Sequence, residues 1–200
     1  PKPSSAASDV YKRQVINMDG VAIAKSVGVV NGEIILSGDS LVSVSGKLDA
    51  SGSNNENGGT VKVLGKLVEL KGNALIDASG ENAGTILIGG NRQGLGPEIN
   101  AEQTFVGANV NIFADAKTTG NGGDIVVWAN QRTDYYGNIF ARGGSISGNG
   151  GSVEVSGRAS LNFVGKVDTS AAHGITGTLL LDPKYLVVIT ILGLGLPYLE

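Results

Sequence analysis

In GTVKV (59–63) and GSVEV (151–155) apolar and polar residues alternate. Val61 and Val63 share one face against Thr60 and Lys62, and Val153 and Val155 stand against Ser152 and Glu154. A period of two is the strand period. Apolar spacing at three and four is missing, and glycine and β-branched residues disfavour helix interiors. The alternation returns along the chain behind a marker: a glycine, usually a small or acidic residue, then an apolar run. It occurs at Gly32-Glu33-Ile34, Gly59-Thr60-Val61, Gly84-Thr85-Ile86, Gly123-Asp124-Ile125, Gly151-Ser152-Val153 and Gly177-Thr178-Leu179. The intervals are 27, 25, 39, 28 and 26 residues. The one long interval holds the Gly/Pro-rich GGNRQGLGPEIN (89–100), which reads as an insertion.

A period of 25–28 residues is a solenoid signature. Two distant units agree at every spacing: Ile34-Ile35-Leu36-Ser37-Gly38 followed by Gly46-Lys47-Leu48-Asp49-Ala50-Ser51, and Val153-Glu154-Val155-Ser156-Gly157 followed by Gly165-Lys166-Val167-Asp168-Thr169-Ser170. Residues 61–79 repeat the pattern less strictly. Breaks at Gly65 and Gly72, or at Gly157 and Gly165, leave three short strands to a unit. The expected fold is therefore all-β, a parallel β-helix (solenoid) of six to seven coils of about 26 residues.

Stacked coils place equivalent residues about 4.8 Å apart. Ile34, Val61, Ile86, Ile125, Val153 and Leu179 are expected to form one inward column, and Leu36, Val63, Ile88, Val127, Val155 and Leu181 the next. One coil cannot close its own core, so each needs neighbours in register. Repetition is thus a packing requirement. Glycines at the corners are expected to supply positive φ, and the Asp-Ala/Thr-Ser phrase to cap corner amides. The outward row mixes Lys62 and Glu154 with Ile35, Leu87, Val126 and Leu180, and reads as a mildly apolar strand face without a dedicated ligand, the alternative being an apolar flank covered by the 89–100 insertion or by a partner.

Composition narrows the function. Glycine makes up 32 of 200 residues, about double average usage. With 41% hydrophobic residues and a net charge of −3, the chain can bury a core rather than remain disordered. No basic patch or polybasic run points to nucleic acid or a membrane surface. Cysteine is absent, which removes disulfides, thiolate metal sites and cysteine nucleophiles together. Residues 1–14 have no apolar signal core, match nothing downstream and are set apart as extraneous, SSAASDVYKRQ reading as a translated sequencing adaptor. The solenoid is assigned to 15–183, with 184–200 as a terminal coil or its continuation. The apolar run LVVITILGLGL (186–196) is too short for a spanning helix, so no integral membrane segment is expected.

Candidate chemistry is sparse. His173, the one histidine, sits in a small-residue corner and is read as a solvated turn residue, neither triad base nor haem ligand. GNGGDI (120–125) resembles half of a nonapeptide calcium repeat, but recurrence is near 26 residues rather than nine, which favours turn chemistry. GGNRQG lacks the Lys-Ser/Thr of a phosphate loop. No acid pair of the kind used by carbohydrate-cleaving β-helices stands out. No enzyme, metal or cofactor is expected. The densest group of recognition residues is Trp128, Arg132, Asp134, Tyr135 and Tyr136, an aromatic set with a polar rim suited to stacking on sugar rings or to an interaction hot spot.

The stretch 120–183, and above all the G-G-S-V-E-V-S-G, G-K-V-D-T-S-A and G-T-L-L-L-D-P blocks between Gly150 and Pro183, resembles the filamentous haemagglutinin-like large exoproteins. That resemblance implies a right-handed parallel β-helix, and a secreted or surface-exposed protein of Gram-negative bacteria. It also implies export by the two-partner route through an outer-membrane barrel transporter. The Asn-Pro-Asn motif of the family's secretion domain is missing, which places the chain in the shaft instead. The expected function is a structural and adhesive shaft segment facing a host receptor or glycan. A carbohydrate-active lyase or hydrolase and a surface-layer or biofilm element are the alternatives. Unpaired strands at a cut end also lead to an expectation of end-to-end self-association.

Overall fold

A computed structural model of the chain describes residues 16–23, 32–53 and 55–184. Residues 1–14 and the apolar run 186–196 lie outside the described residues. The described chain winds through successive coils of three strands each. The first coil holds β1 (Ile16–Met18), β2 (Val21–Ile23) and β3 (Glu33–Ser37). The second holds β4 (Leu41–Val44), β5 (Lys47–Asp49) and β6 (Thr60–Leu64), and the third β7 (Leu67–Leu70), β8 (Leu75–Asp77) and β9 (Thr85–Ile88). The fourth holds β10 (Gln103–Val106), β11 (Asn111–Phe113) and β12 (Asp124–Ala129). The fifth holds β13 (Arg132–Tyr135), β14 (Asn138–Phe140) and β15 (Ser152–Gly157), and the sixth β16 (Ser160–Phe163), β17 (Lys166–Asp168) and β18 (Thr178–Leu180). Each strand pairs in parallel with its counterpart one coil away. This gives three 6-stranded sheets: β1-β4-β7-β10-β13-β16, β2-β5-β8-β11-β14-β17 and β3-β6-β9-β12-β15-β18. Among the described residues the helical content is one 3-10 turn, Arg92–Gly94, inside the insertion.

The inward column is the expected one. Ile34 pairs with Val61, Val61 with Ile86, Ile86 with Ile125, Ile125 with Val153 and Val153 with Leu179. Leu36, Val63, Ile88, Val127 and Val155 follow two residues on. The second sheet adds Leu48, Ile76, Ile112 and Ile139, and the first Val42, Val68, Val44, Leu70 and Val106, all buried in a single core. Each such side chain contributes about 1.5–3 kcal/mol relative to exposure. Thr104 and Thr133 also point inward and are buried. Their hydroxyls donate to the Trp128 and Ser156 carbonyls, 2.7 Å in each case, so a polar atom enters the core satisfied.

Of the glycines that break each coil into strands, Gly72 has the expected positive φ, whereas Gly65, Gly157 and Gly165 do not. None of Gly59, Gly84, Gly123, Gly151 or Gly177 has positive φ. They stack in a column in which each carbonyl accepts from the amide just after the next coil's glycine: Thr60 to Gly32 at 2.8 Å, Thr85 to Gly59 at 3.0 Å, Asp124 to Gly84 at 3.1 Å, Ser152 to Gly123 at 2.9 Å and Thr178 to Gly151 at 3.0 Å. A Cβ on any of the later five would be driven into the carbonyl oxygen of the glycine below. Close approach of coil to coil, not turn handedness, demands glycine here. Positive φ is found at the corner glycine Gly72, at Gly148 and, within the insertion, at Gly89, Gly90, Gly94 and Gly96.

The Asp-x-Ser phrase forms the corner after the second sheet, as expected. The Asp49, Asp77 and Asp168 carboxylates accept the Ser51, Ser79 and Ser170 backbone N–H at 3.1, 2.9 and 2.9 Å. Between Asp77 and Asp168 the same column is occupied by Phe113 and Phe140, whose rings stack at 4.9 Å. Beside the glycine column runs an asparagine ladder. Asn57 Oδ1 accepts the Asn82 amide at 3.1 Å, Asn82 Oδ1 accepts Asn121 at 3.3 Å, Asn121 Oδ1 accepts Asn149 at 2.8 Å, and Asn149 Oδ1 accepts Ile175 at 2.9 Å. Each of these side chains ties one coil to the next where no strand runs.

Candidate interaction faces

The residues singled out in the sequence are divided among three surroundings. Tyr135 alternates with Arg132 and Asp134 on β13 and so faces inward, fully buried, its ring stacked on Phe163 at 5.4 Å. Burial pushes its phenol pKa up beyond its ordinary range. The ring occupies the space beside Gly165, where a Cβ would lie 2.6 Å from Tyr135 Cδ1. Trp128, on β12 in the third sheet, is also buried. Only Arg132, Asp134 and Tyr136 share an accessible surface, the outer face of the first sheet.

Trp128 is hidden because the insertion 89–100 folds back as a strap over the outer row of the third sheet. Leu87, Val126 and Trp128 form a small apolar cluster beneath it. Of the two readings of the outward row, cover by the 89–100 insertion is the one found here, over Leu87 and Val126; Ile35, in the first coil, stays half exposed, at 51%. Gly94 rests on the indole, and a Cβ there would lie 2.6 Å from Cζ2. The Arg92 guanidinium donates to Asp124 and, at 2.8 Å, to Ser152 Oγ, and lies 3.8 Å from Glu154. The Gln93 amide donates to both Glu154 oxygens at 3.1 Å. Glu98 pairs with Lys62 at 3.0 Å, so the strap is pinned to the second, fourth and fifth coils. Glu154 is fully buried, and desolvation raises its pKa against the pull of Ser156, the Gln93 amide and Arg92.

On the first sheet, Ser43, Glu69, Phe105, Asp134 and Asn162 occupy one outward column. Arg132 grips Asp134 through two bonds, 2.6 and 2.8 Å, and this holds the Asp134 carboxyl below its usual range. Lys71 at 2.7 Å and Ser43 at 2.8 Å do the same for Glu69. Phe105 stands between these carboxylates, 39% exposed, with the Tyr136 ring 5.9 Å away. The Tyr136 hydroxyl accepts from Asn162 at 2.8 Å. A shallow groove of about 210 Å³ runs past Leu41, Leu67, Glu69, Gln103, Phe105 and Asp134. Phe105, Glu69, Gln103 and Asn162 were missed in the sequence. Aligning coils by their marker glycines, then reading the polar alternate of each strand, would have found them.

The two carboxylates of this face can be compared with what glycoside hydrolysis requires. Such chemistry needs one carboxylic acid with a raised pKa to protonate the leaving group. Glu69 and Asp134 lie two coils, about 10 Å, apart, but both are shifted the other way. Among the described residues Glu154 is a carboxyl with a raised pKa, and it lies buried under the strap. His173 is exposed in the corner after β17. Asp124 of the calcium-like GNGGDI is engaged by Arg92.

No family model matches the chain, and no curated protein does. Among solved structures it is similar to the HMW1 secretion domain from Haemophilus influenzae, with a TM-score of 0.65 and 28% identity over 86% of this chain. The match spans 46% of that chain, so the protein covers about half of its neighbour's length. The resemblance to the filamentous haemagglutinin-like exoproteins is borne out in this form: a secretion domain as neighbour, and a parallel β-solenoid as fold.

Proposed function

We propose that the chain is a solenoid segment of a secreted Gram-negative exoprotein, a stiff rod that passes through an outer-membrane barrel transporter and then holds an adhesive surface away from the cell. The observation that carries this reading is the parallel register that runs through all six coils of the described residues in each of the three sheets. Six coils at about 4.8 Å make a body about 30 Å long. The missing Asn-Pro-Asn motif favours a place in the shaft, and the likeness to a secretion domain supports instead a place in the solenoid part of such a domain, which is the position proposed. Residues 15–183 form the solenoid in this proposal, with 89–100 as its strap. Among the described residues no helix is long and apolar enough to cross a membrane. A catalytic reading has no comparable support: Glu69 and Asp134, the carboxylates of the outer face of the first sheet, are each held ionised by a neighbouring cation, Lys71 and Arg132.

The test is export. The chain, given a Sec signal, is produced in a Gram-negative host with and without a two-partner barrel transporter. Appearance in the medium only with the transporter supports the reading, and equal retention in the periplasm contradicts it. Adhesion is tested by coating beads with the purified chain and counting those held by epithelial monolayers.

A further inference from the structure

The geometry points to an uncharged saccharide chain as the ligand of the outer face of the first sheet. This deepens the adhesive reading and rests on it. The face carries charge but offers little of it unpaired. Glu69 is neutralised by Lys71 and Asp134 by Arg132, each through bonds of 2.6–2.8 Å. A charged ligand would have to break these pairs to be recognised. Hydroxyl groups would not, since an ionised carboxylate holding one cation keeps lone pairs free to accept.

Phe105 lies in the middle of this polar column and supplies the apolar surface on which a sugar ring rests, with Tyr136 beside it. Gln103, two residues earlier on the same strand, and Asn162, two coils along the column, add planar amides to the face. A protein partner fits less well. The centres of protein interfaces are depleted of Lys, Glu and Asp, whereas here the aromatic is flanked by carboxylates. The groove, about 210 Å³, is smaller than the roughly 300–1,000 Å³ of enclosed small-molecule sites. It receives part of a ligand at a time, as suits a polymer laid over successive coils.

Affinity electrophoresis of the full chain tests this, in gels containing hydroxyethyl cellulose, dextran or, as the charged comparison, polygalacturonate. The expected result is retardation in at least one neutral gel and none in polygalacturonate. The F105A/Y136A double variant should bind about tenfold more weakly, while Trp128→Phe, altered beneath the strap, should bind as the parent does. Circular dichroism and melting of each variant separate lost contacts from lost fold, and Gln103→Ala provides a second probe of the same face with little structural risk. Migration unchanged in both neutral gels, preference for polygalacturonate, or retardation indifferent to F105A/Y136A and Q103A would overturn the assignment. Bead adhesion that persists and depends on Phe105 and Tyr136 without any saccharide retardation would sink the saccharide while leaving the adhesive reading standing. Loss of both would remove the two together.

Discussion

Two glycine-to-alanine changes, chemically identical and 16 positions apart, should have opposite effects. At Gly123 an added Cβ collides with the Gly84 carbonyl oxygen and comes within 2.7 Å of Ala114 Cβ and 3.2 Å of Ala83 Cβ. The first obstacle is backbone, held by the Asp124 N–H to Gly84 O bond at 3.1 Å, and cannot rotate away. Overpacking of this kind costs about 1–3 kcal/mol, and contact with backbone puts Gly123→Ala near 3 kcal/mol. At about 2–4 °C per kcal/mol for a domain of this size, the melting temperature should fall by about 6–12 °C. At Gly107 the nearest atom to an added Cβ is 3.5 Å away, an ordinary contact, and φ is not left-handed. There the loss of unfolded-state entropy dominates, and Gly107→Ala should stabilise by about 0.4–1 kcal/mol. Calorimetry and urea titration of the two variants beside the parent provide the assay. Hydrogen exchange should show the Gly123→Ala loss centred on β9, β12 and the corners joining them. A neutral Gly123→Ala, or equal effects at the two sites, would refute the claim that the glycine column exists for coil-to-coil approach.

Other consequences can be measured in the same way. Glu154 keeps its proton to higher pH when folded than its ordinary 4.5; its contribution to stability is therefore complete below that value and lost as pH rises through the folded pKa. Glu154→Gln should flatten that decline in a pH series of urea midpoints, and an unchanged slope would contradict it. Glu69, Asp134 and Asp168 are lowered and act in the opposite sense, so stability should also fall as pH drops through their folded values. Asp77→Ala removes the acceptor of the Ser79 amide and should cost about 0.5–1.5 kcal/mol, most of it restored by Asp77→Asn. Asn121→Ala breaks the ladder between the fourth and fifth coils and should cost about 1 kcal/mol, with faster exchange at the Asn149 amide. Replacing residues 91–99 by a short Gly-Ser link should shift the emission of Trp128, the only tryptophan, to longer wavelength, because the strap is what covers it; an unshifted spectrum would show that something else does.

The parts legible in the sequence were those that every coil must repeat. Val61, Ile86 and Val153 could be assigned to one column because a β-branched residue recurs at a fixed distance behind a glycine, and the Asp-x-Ser corner could be read for the same reason. What escaped depends on features present once. The strap is a single insertion, and nothing in GGNRQGLGPEIN says that Arg92 and Gln93 reach Glu154, 61 residues or more ahead. Tyr135 was grouped with Arg132 and Asp134 by closeness in sequence, although the strand period puts it on the opposite face; a threonine-tyrosine alternate does not advertise a core. The asparagine ladder was legible in principle, since Asn57, Asn82, Asn121 and Asn149 each stand two residues before a marker glycine. Asparagine in a glycine-rich corner has the look of ordinary turn composition, so the signal is weak.

The absence of cysteine allows spin labels to be placed without competition. Lys47 and Lys166 are 119 residues apart in the chain and four coils apart in the second sheet, through Leu75, Asn111 and Asn138. At about 4.8 Å per coil their backbones lie about 19 Å apart on one straight column. Pulsed electron spin measurement on the Lys47→Cys/Lys166→Cys chain should give a single narrow distribution near that distance. A broad distribution, or one centred far beyond it, would mean that the coils do not stack and that the rod does not exist.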